Sequence, residues 1–289
     1  MSQANDLVES LTPDVLLMEI EMLRTKDQRT ILLVEGPNDM AILEPHLDDV
    51  ECRSLPTGGK VNLLATIRLV NQRKLKRVLG IADRDWEGLL AAAVRIPNVI
   101  YTDFYDIDAT ALFSGNVCQR VVSVHCDGPT VRAHLTKSGQ ADPLSVLVEV
   151  ASEVGVLRML NIRNGWGVKV RDFPVHEVID TATLQVSQPR LAAIAAGRSK
   201  GAVRAEDVAT AMSAWSWGTY SRRDFCSGHD LISALAFVLK SAWGGKHVGV
   251  EAAGRAIRAA LSCTELKATQ FYAEVKKWGA TRGAAIWCC

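Results

Sequence analysis

The sequence has no surplus of charge of either sign, no long hydrophobic run and no paired-cysteine motif. Its 33 basic and 32 acidic residues leave a net charge of +1. That balance gives no general pull toward nucleic acid, so any such binding must come from a local patch. No apolar stretch approaches the roughly 20 residues of a membrane helix, and Met1 to Ser10, carrying Asp6 and Glu9, do not read as a signal peptide. Seven cysteines are scattered without any C-x-x-C pair, and the adjacent Cys288 and Cys289 read as a frayed end. The expectation is a reduced, cytoplasmic protein with neither a zinc site nor a disulfide framework, and with no membrane contact. No repeat of about 20–50 residues is present, and no full Walker loop, which removes ATP binding by this chain from the reading. What is present is a core: 48% of 289 residues are apolar, enough for one large domain or two ordinary ones.

The stretch that organises the chain is Thr30-Ile31-Leu32-Leu33-Val34-Glu35-Gly36-Pro37-Asn38-Asp39. A continuous apolar run reads as a strand buried on both faces of a parallel sheet, and Glu-Gly-Pro ends it with turn chemistry. Asn38 is then the expected cap of a short helix, Met40 to Leu43. Glu35 would stand at the carboxyl end of a central strand, where open α/β sheets hold their ligands. The plainer alternative makes Glu35 a solvated loop residue and Asp39 a carboxylate stabilised at a helix start.

Arg77 to Trp86 repeats the design, with Asp83 and Asp85 where the strand should end. Three close carboxylates raise one another's pKa values unless a cation neutralises them, and Mg²⁺ takes oxygen ligands of this kind. The alternative for Asp83-Arg84-Asp85 is a surface turn with a local ion pair. A further strand, Asn98 to Tyr101, also ends in acid, at Asp103, Asp106 and Asp108.

Between these strands, Thr12 and Pro13 open an amphipathic helix, and Val50 to Leu55 reads as a strand. Thr57-Gly58-Gly59-Lys60 then opens a helix with Leu63, Ile67 and Val70 on one face. Such a turn can offer backbone N–H groups and an ammonium to a phosphate, or can simply connect a strand to a helix. The basic run Arg73 to Arg77 fits a solvated helix end, and a short helix is expected over Leu89 to Val94. Up to about residue 128 the strand–helix alternation implies a small parallel sheet covered on both faces. From Asp127-Gly128-Pro129 onward helices dominate, with Val168 to Val175 the only strand candidate. His229, near a helix start, can contact phosphate or shuttle a proton, or can be a plain cap-region residue. Arg222 and Arg223 lie near Trp215 and Trp217, a mixture that suits backbone tracking and base stacking but also describes core tryptophans beside surface charges.

In this order, Val34-Glu35-Gly36-Pro37-Asn38-Asp39, Thr57-Gly58-Gly59-Lys60, Asp83-Arg84-Asp85-Trp86, Thr102 to Asp108 and Gly228-His229-Asp230-Leu231 resemble the Toprim domain. That domain is shared by topoisomerases, primases and nucleases of the overcoming-lysogenisation-defect type. The narrower resemblance is to the Toprim-like family of unknown-function proteins that includes the AriB effector nuclease of the PARIS phage-defence system. It implies a Toprim-like α/β domain over residues 1–128, completed by a mainly helical domain over 129–289. The implied activity is Mg²⁺- or Mn²⁺-dependent phosphodiester cleavage, with RNA, tRNA among it, as one substrate class and phage defence as the setting.

The expected metal ligands are Glu35, Asp39, Asp83, Asp85 and Asp108. Glu35, Lys60 and His229 are the catalytic candidates; Lys60, Arg84, Arg222 and Arg223 are the nucleic-acid contacts. Family members carry Glu where this chain has Asp108, whose shorter side chain reaches a metal through water or serves as a helix cap. A rival reading is a non-catalytic module docked on a separate ABC-type ATPase. Others are a phosphotransferase with Asp83 as nucleophile, or a structural protein whose carboxylates never assemble. RNA and DNA are not distinguished by the residues, and a homodimer is an expectation from the abundance of amphipathic helices.

Overall fold

The computed structural model describes residues 11–90, 94–245 and 248–289. Met1 to Ser10, and part of the helix expected over Leu89 to Val94, lie outside them. The protein is α/β, with an all-parallel four-stranded sheet in its first part and a helical second part. Among the described residues no helix is long and apolar enough to cross a membrane.

The chain divides into two compact units, one formed by residues 1–115 and 261–289 and the other by 116–260. The first begins with α1 (Pro13–Arg24), capped by Thr12 with Pro13 in its first turn. β1 (Thr30–Val34), α2 (Pro37–Leu43), β2 (Cys52–Pro56), α3 (Lys60–Gln72), β3 (Val78–Ala82), β4 (Val99–Tyr101) and α4 (Ile107–Phe113) follow. The strand order is β2-β1-β3-β4. β1 is central and buried throughout, which accounts for its unbroken apolar sequence.

Alternate residues of each strand point to opposite faces. Ile31 and Leu33 of β1 pack with Val78 and Ala82 of β3 against Leu17 and Ile20 of α1 and Leu63, Ile67 and Val70 of α3. Gly80 lets α3 approach the sheet closely, since a Cβ there would lie 2.9 Å from Leu63 Cδ2 and 3.0 Å from Ile67 Cγ1. On α2 the expected cap moves. Gly36 is the N-cap, and Asp39, in the first turn, accepts the Gly36 N–H at 2.7 Å; Asn38 already lies inside the helix.

The last residues return to the first unit as α13 (Cys263–Lys267) and α14 (Gln270–Ala280). They form two helices and not one because Thr269 caps the second, accepting the Tyr272 N–H. Asp103 fastens α14 by accepting the Gln270 and Phe271 N–H groups at 2.9 and 2.6 Å, satisfying donors that a helix start leaves without partners. Trp278 Nε1 donates to Asn98 Oδ1 at 3.0 Å. The end of the chain is not frayed: the Asp48 N–H donates to Ile286 O, the Cys288 N–H donates to His46 O, and Cys289 forms a disulfide with Cys263. That bond corrects the expectation of unpaired cysteines; proximity in the fold, not spacing in the sequence, made the pair.

The second unit contains α5 (Val117–His125), α6 (Gly128–Ser138), α7 (Pro143–Asn164), α8 (Val175–Val178), α9 (Gln188–Arg198), α10 (Ala205–Ser213), α11 (Gly228–Ser241) and α12 (Val250–Ala260). The turn at Asp127-Gly128-Pro129 lies inside this unit, where Asp127 caps α6. Val168 to Val175 is not a strand. Asn161 exchanges two hydrogen bonds with the Val168 backbone, and Arg198 donates to the carbonyls of Lys169 and Arg171. Side chains thus satisfy backbone groups that a sheet would otherwise pair. Asp230 is fully buried and neutralised by Arg158 at 2.8 Å.

Asp103→Ala should cost about 2 kcal/mol, since it removes two hydrogen bonds to a carboxylate. Urea unfolding checks the magnitude. Limited proteolysis should cut faster within 261–289 in the variant, and an unchanged pattern would show that the segment is held without Asp103.

Candidate functional site

In the order β2-β1-β3-β4 the chain leaves β1 toward β2, then crosses to the other side for β3. The switch point therefore lies between the carboxyl ends of β1 and β3, where such sheets open a crevice. Glu35 follows β1 and Asp83 follows β3, and Glu35 Oε1 accepts the Asp83 N–H at 2.8 Å. The two residues meet because their strands are neighbours in register, Ile31 beside Val78 and Leu33 beside Gly80.

Loops from the other strands close around this pair. Thr57 donates both its N–H and its hydroxyl to Val34 O at 2.9 Å, and the Gly59 N–H donates to Glu35 O at 2.8 Å. Gly59 has φ of +119°, a conformation that requires glycine, and it starts α3 so that Lys60 enters the first turn. The Lys60 ammonium contacts Asp85 Oδ2 at 2.8 Å and Glu87 at 3.7 Å, and lies 5.4 Å from the Tyr101 ring centre. Asp85 reaches it from a left-handed turn with φ of +46°, secured by its N–H to Tyr105 O at 2.7 Å. The Arg84 N–H donates to Thr102 Oγ1 at 3.0 Å and its guanidinium to Asp103 O at 3.0 Å. Asp83 Oδ1 accepts the Ile107 N–H at 3.2 Å, which joins the start of α4 to the site.

Desolvation is the main influence on Glu35, raising its pKa to about 7; the Asp83 N–H opposes it, Asp85 and Asp39 add to it, and Lys60 offsets part. Desolvation also pushes Asp83 well above the usual carboxylate range, reinforced by Asp106, Glu35, Asp39 and Asp85. Glu35, Asp39, Asp83, Asp85 and Lys60 therefore share one electrostatic environment. Asp108 lies within the first turn of α4, and the helix cap is Asp106, which accepts the Ala109 N–H at 2.7 Å.

Two members were not among the expected site residues. Asp106 exerts the largest charge effect on Asp83; its signal was the Asp106-Ile107-Asp108 spacing, which repeats Asp83-Arg84-Asp85. Glu87 had no signal, since only the fold brings it to Lys60.

His229, Arg222 and Arg223 belong to the second unit. The exposed His229 is the second residue of α11 and has Nε2 3.9 Å from Asp172. Arg222 donates to Ser152 Oγ and Glu153 Oε1, both at 3.0 Å, and stacks 4.4 Å from the Trp217 ring centre. Arg223 sits on the same 3₁₀ turn, Arg222–Phe225, with its N–H on Ser221 Oγ.

The all-oxygen donor set fits a hard divalent ion. Glu35 and Asp83 can supply the one or two carboxylates that Mg²⁺ takes, and water and phosphate oxygens can complete its shell. Asp39 is turned toward the Gly36 N–H and Asp85 toward Lys60, so these carboxylates do not form a tight trio. Among the described residues the one group of three metal-ligating side chains with ligand atoms all within 4.8 Å is His46, Cys263 and Cys289. No protein-family model matches the chain, and no curated protein matches it.

Without a divalent cation, the folded state holds a proton on Glu35 up to about pH 7, whereas an ordinary glutamate releases it near 4.5. The folded chain binds more protons within that window, so stability falls as pH rises through it. Glu35→Gln keeps an acceptor for the Asp83 N–H and removes the buried charge. It should stabilise the metal-free chain by about 2 kcal/mol near pH 8 and by little near pH 5. Urea titrations at both pH values check this, and an equal effect at both would refute a charge-burial cost at Glu35.

Proposed function

We propose that the chain is a Toprim-type metal-dependent nuclease with its active centre at the carboxyl ends of β1 and β3. The observation that carries this reading is the Glu35–Asp83 contact at the switch point: two half-buried carboxylates with raised pKa values, beside Lys60. Buried like charges at a sheet's ligand-binding edge favour a divalent cation that restores both to their ionised forms. Asp83 would hold Mg²⁺ or Mn²⁺, with Asp39, Asp85 and Asp108 acting through water and Glu35 serving beside the ion as the general base. The ion, when bound, supplies Lewis-acid compensation of charge developing on phosphate oxygens.

The chain's own residues supply the rest. Glu35 takes the proton of the attacking water at Oε2, the oxygen not engaged by the Asp83 N–H. The hydrogen bond from Asp83 to Oε1 fixes the orientation of that carboxylate. Lys60 leaves Asp85 for a non-bridging phosphate oxygen as charge accumulates there. Arg84 flanks the same turn and tracks the nucleic-acid backbone. RNA, tRNA among it, is the favoured substrate class, and phage defence in the cytoplasm the favoured setting; both rest on the family resemblance.

Purified chain should cut total tRNA or plasmid DNA with Mg²⁺ or Mn²⁺ and not with EDTA. Glu35→Ala and Asp83→Ala should each lower the rate on the order of 10²-fold or more. The substrate that is cut decides between RNA and DNA. Metal-independent cutting, or full activity in both variants, would remove the proposal. If native chain and variants are all inactive, calorimetric Mn²⁺ binding decides: binding lost in Asp83→Ala keeps the centre, and no binding anywhere sinks it.

A further inference from the structure

A second cluster of ligating side chains lies in the first unit and takes no part in the carboxylate site. His46 closes the 3₁₀ turn Glu44–His46 and is buried, with 5% of its surface exposed. Its Nδ1 is 3.8 Å from Cys263 Sγ and 3.8 Å from Cys289 Sγ. The two sulfurs are joined in a disulfide, which links α13 to the segment after Trp287. A disulfide has no hydrogen-bonding need for an imidazole nitrogen placed evenly between its sulfurs.

A tetrahedral zinc ion has such a need. With Zn–N near 2.0–2.1 Å and Zn–S near 2.3 Å, a ligating nitrogen and sulfur stand about 3.6 Å apart. Both nitrogen–sulfur distances are already within a few tenths of an ångström of that value. Only the sulfurs must part, to about 3.8 Å, for a Cys₂His set with a fourth position for solvent. The surroundings hold the three residues in place without the disulfide. Asp48 N–H donates to Ile286 O at 2.9 Å, Cys288 N–H donates to His46 O at 3.0 Å, Leu47 forms a bridge with Trp287, and the Trp287 ring stacks on Tyr272. Reduction therefore leaves two thiols and an imidazole still facing one another.

We propose that His46, Cys263 and Cys289 form a redox-gated binding site for a thiophilic divalent cation of the zinc type. A dithiol reductant breaks the Cys263–Cys289 bond, delivering two electrons and two protons and leaving as its own disulfide. Zinc binding then releases both thiol protons to solvent and forms two Zn–S bonds and one bond to His46 Nδ1. The covalent clamp on the segment 261–289 is replaced by a coordinate one, so the segment stays docked in a reducing compartment as well as in an oxidising one. Disulfide and metal exclude each other, because both use the same two sulfurs.

The test is Co²⁺ titration of the whole metal-free chain, with and without a phosphine reductant. The reduced chain should bind one equivalent with a near-ultraviolet thiolate-to-cobalt band and tetrahedral visible bands, both displaced by Zn²⁺. The chain with its disulfide intact should show neither. Cys289→Ser and His46→Gln should each weaken Co²⁺ binding about tenfold or more, while Asp83→Asn leaves the bands unchanged and so separates this site from the carboxylates. Circular dichroism establishes that each variant is folded, and Cys263→Ser serves if His46→Gln is not. A reduced, folded chain with no thiolate band overturns the proposal. So does an undiminished band in Cys263→Ser and Cys289→Ser, which would assign it to the other cysteines.

Discussion

The structure depends on a charge held where water is scarce. Glu35 lies at the end of the most buried strand, between two parallel neighbours, and one of its oxygens is tied to the backbone of Asp83. Both carboxylates are partly withdrawn from solvent at the ends of neighbouring strands. Burial raises both pKa values, and Asp39, Asp85 and Asp106 raise them further. The partial remedies are local: backbone N–H groups on Glu35, Asp39 and Asp83, and one ammonium from Lys60. They leave the site able to gain from a proton or a cation, and that electrostatic need makes it a candidate for chemistry instead of an ordinary turn.

Acids that look alike in the sequence do different work around this site. Asp83 is half-buried among like charges, Asp85 is matched by Lys60, Asp106 caps a helix, and Asp103 anchors the returning helix α14. The difference lies in which donors each carboxylate meets. Asp85 meets Lys60 from a left-handed turn, a conformation aspartate tolerates better than most residues. The same returning segment that Asp103 anchors carries Cys263 and Cys289 to His46, so one docking event builds the cysteine–histidine cluster and completes the unit that bears the carboxylates.

Much of the sheet was legible because its signals are local. Unbroken apolar runs at Ile31 to Val34 and Val78 to Ala82 are what a strand covered on both faces requires, and helical spacing of Leu63, Ile67 and Val70 marked the face of α3 that meets it. Glu35 and Asp83 stood out because each ends such a run. The misreadings came where side chains replaced backbone partners. Val168 to Val175 has strand-like residues, but Asn161 and Arg198 take up its backbone groups. Asn38 was a sound cap by residue type, yet Asp39 satisfied the helix start from inside.

By itself, then, the sequence determined the parallel sheet and the positions of acids at strand ends, since hydrophobic period and turn chemistry act within a few residues. Tertiary structure alone decided that Asp106 bears on Asp83, that Glu87 shares Lys60, and that Cys289 lies beside His46. These contacts join residues whose separation along the chain carries no periodic signal. They exist because strand order, and the return of the last segment to the sheet, set distances in space that sequence spacing does not encode.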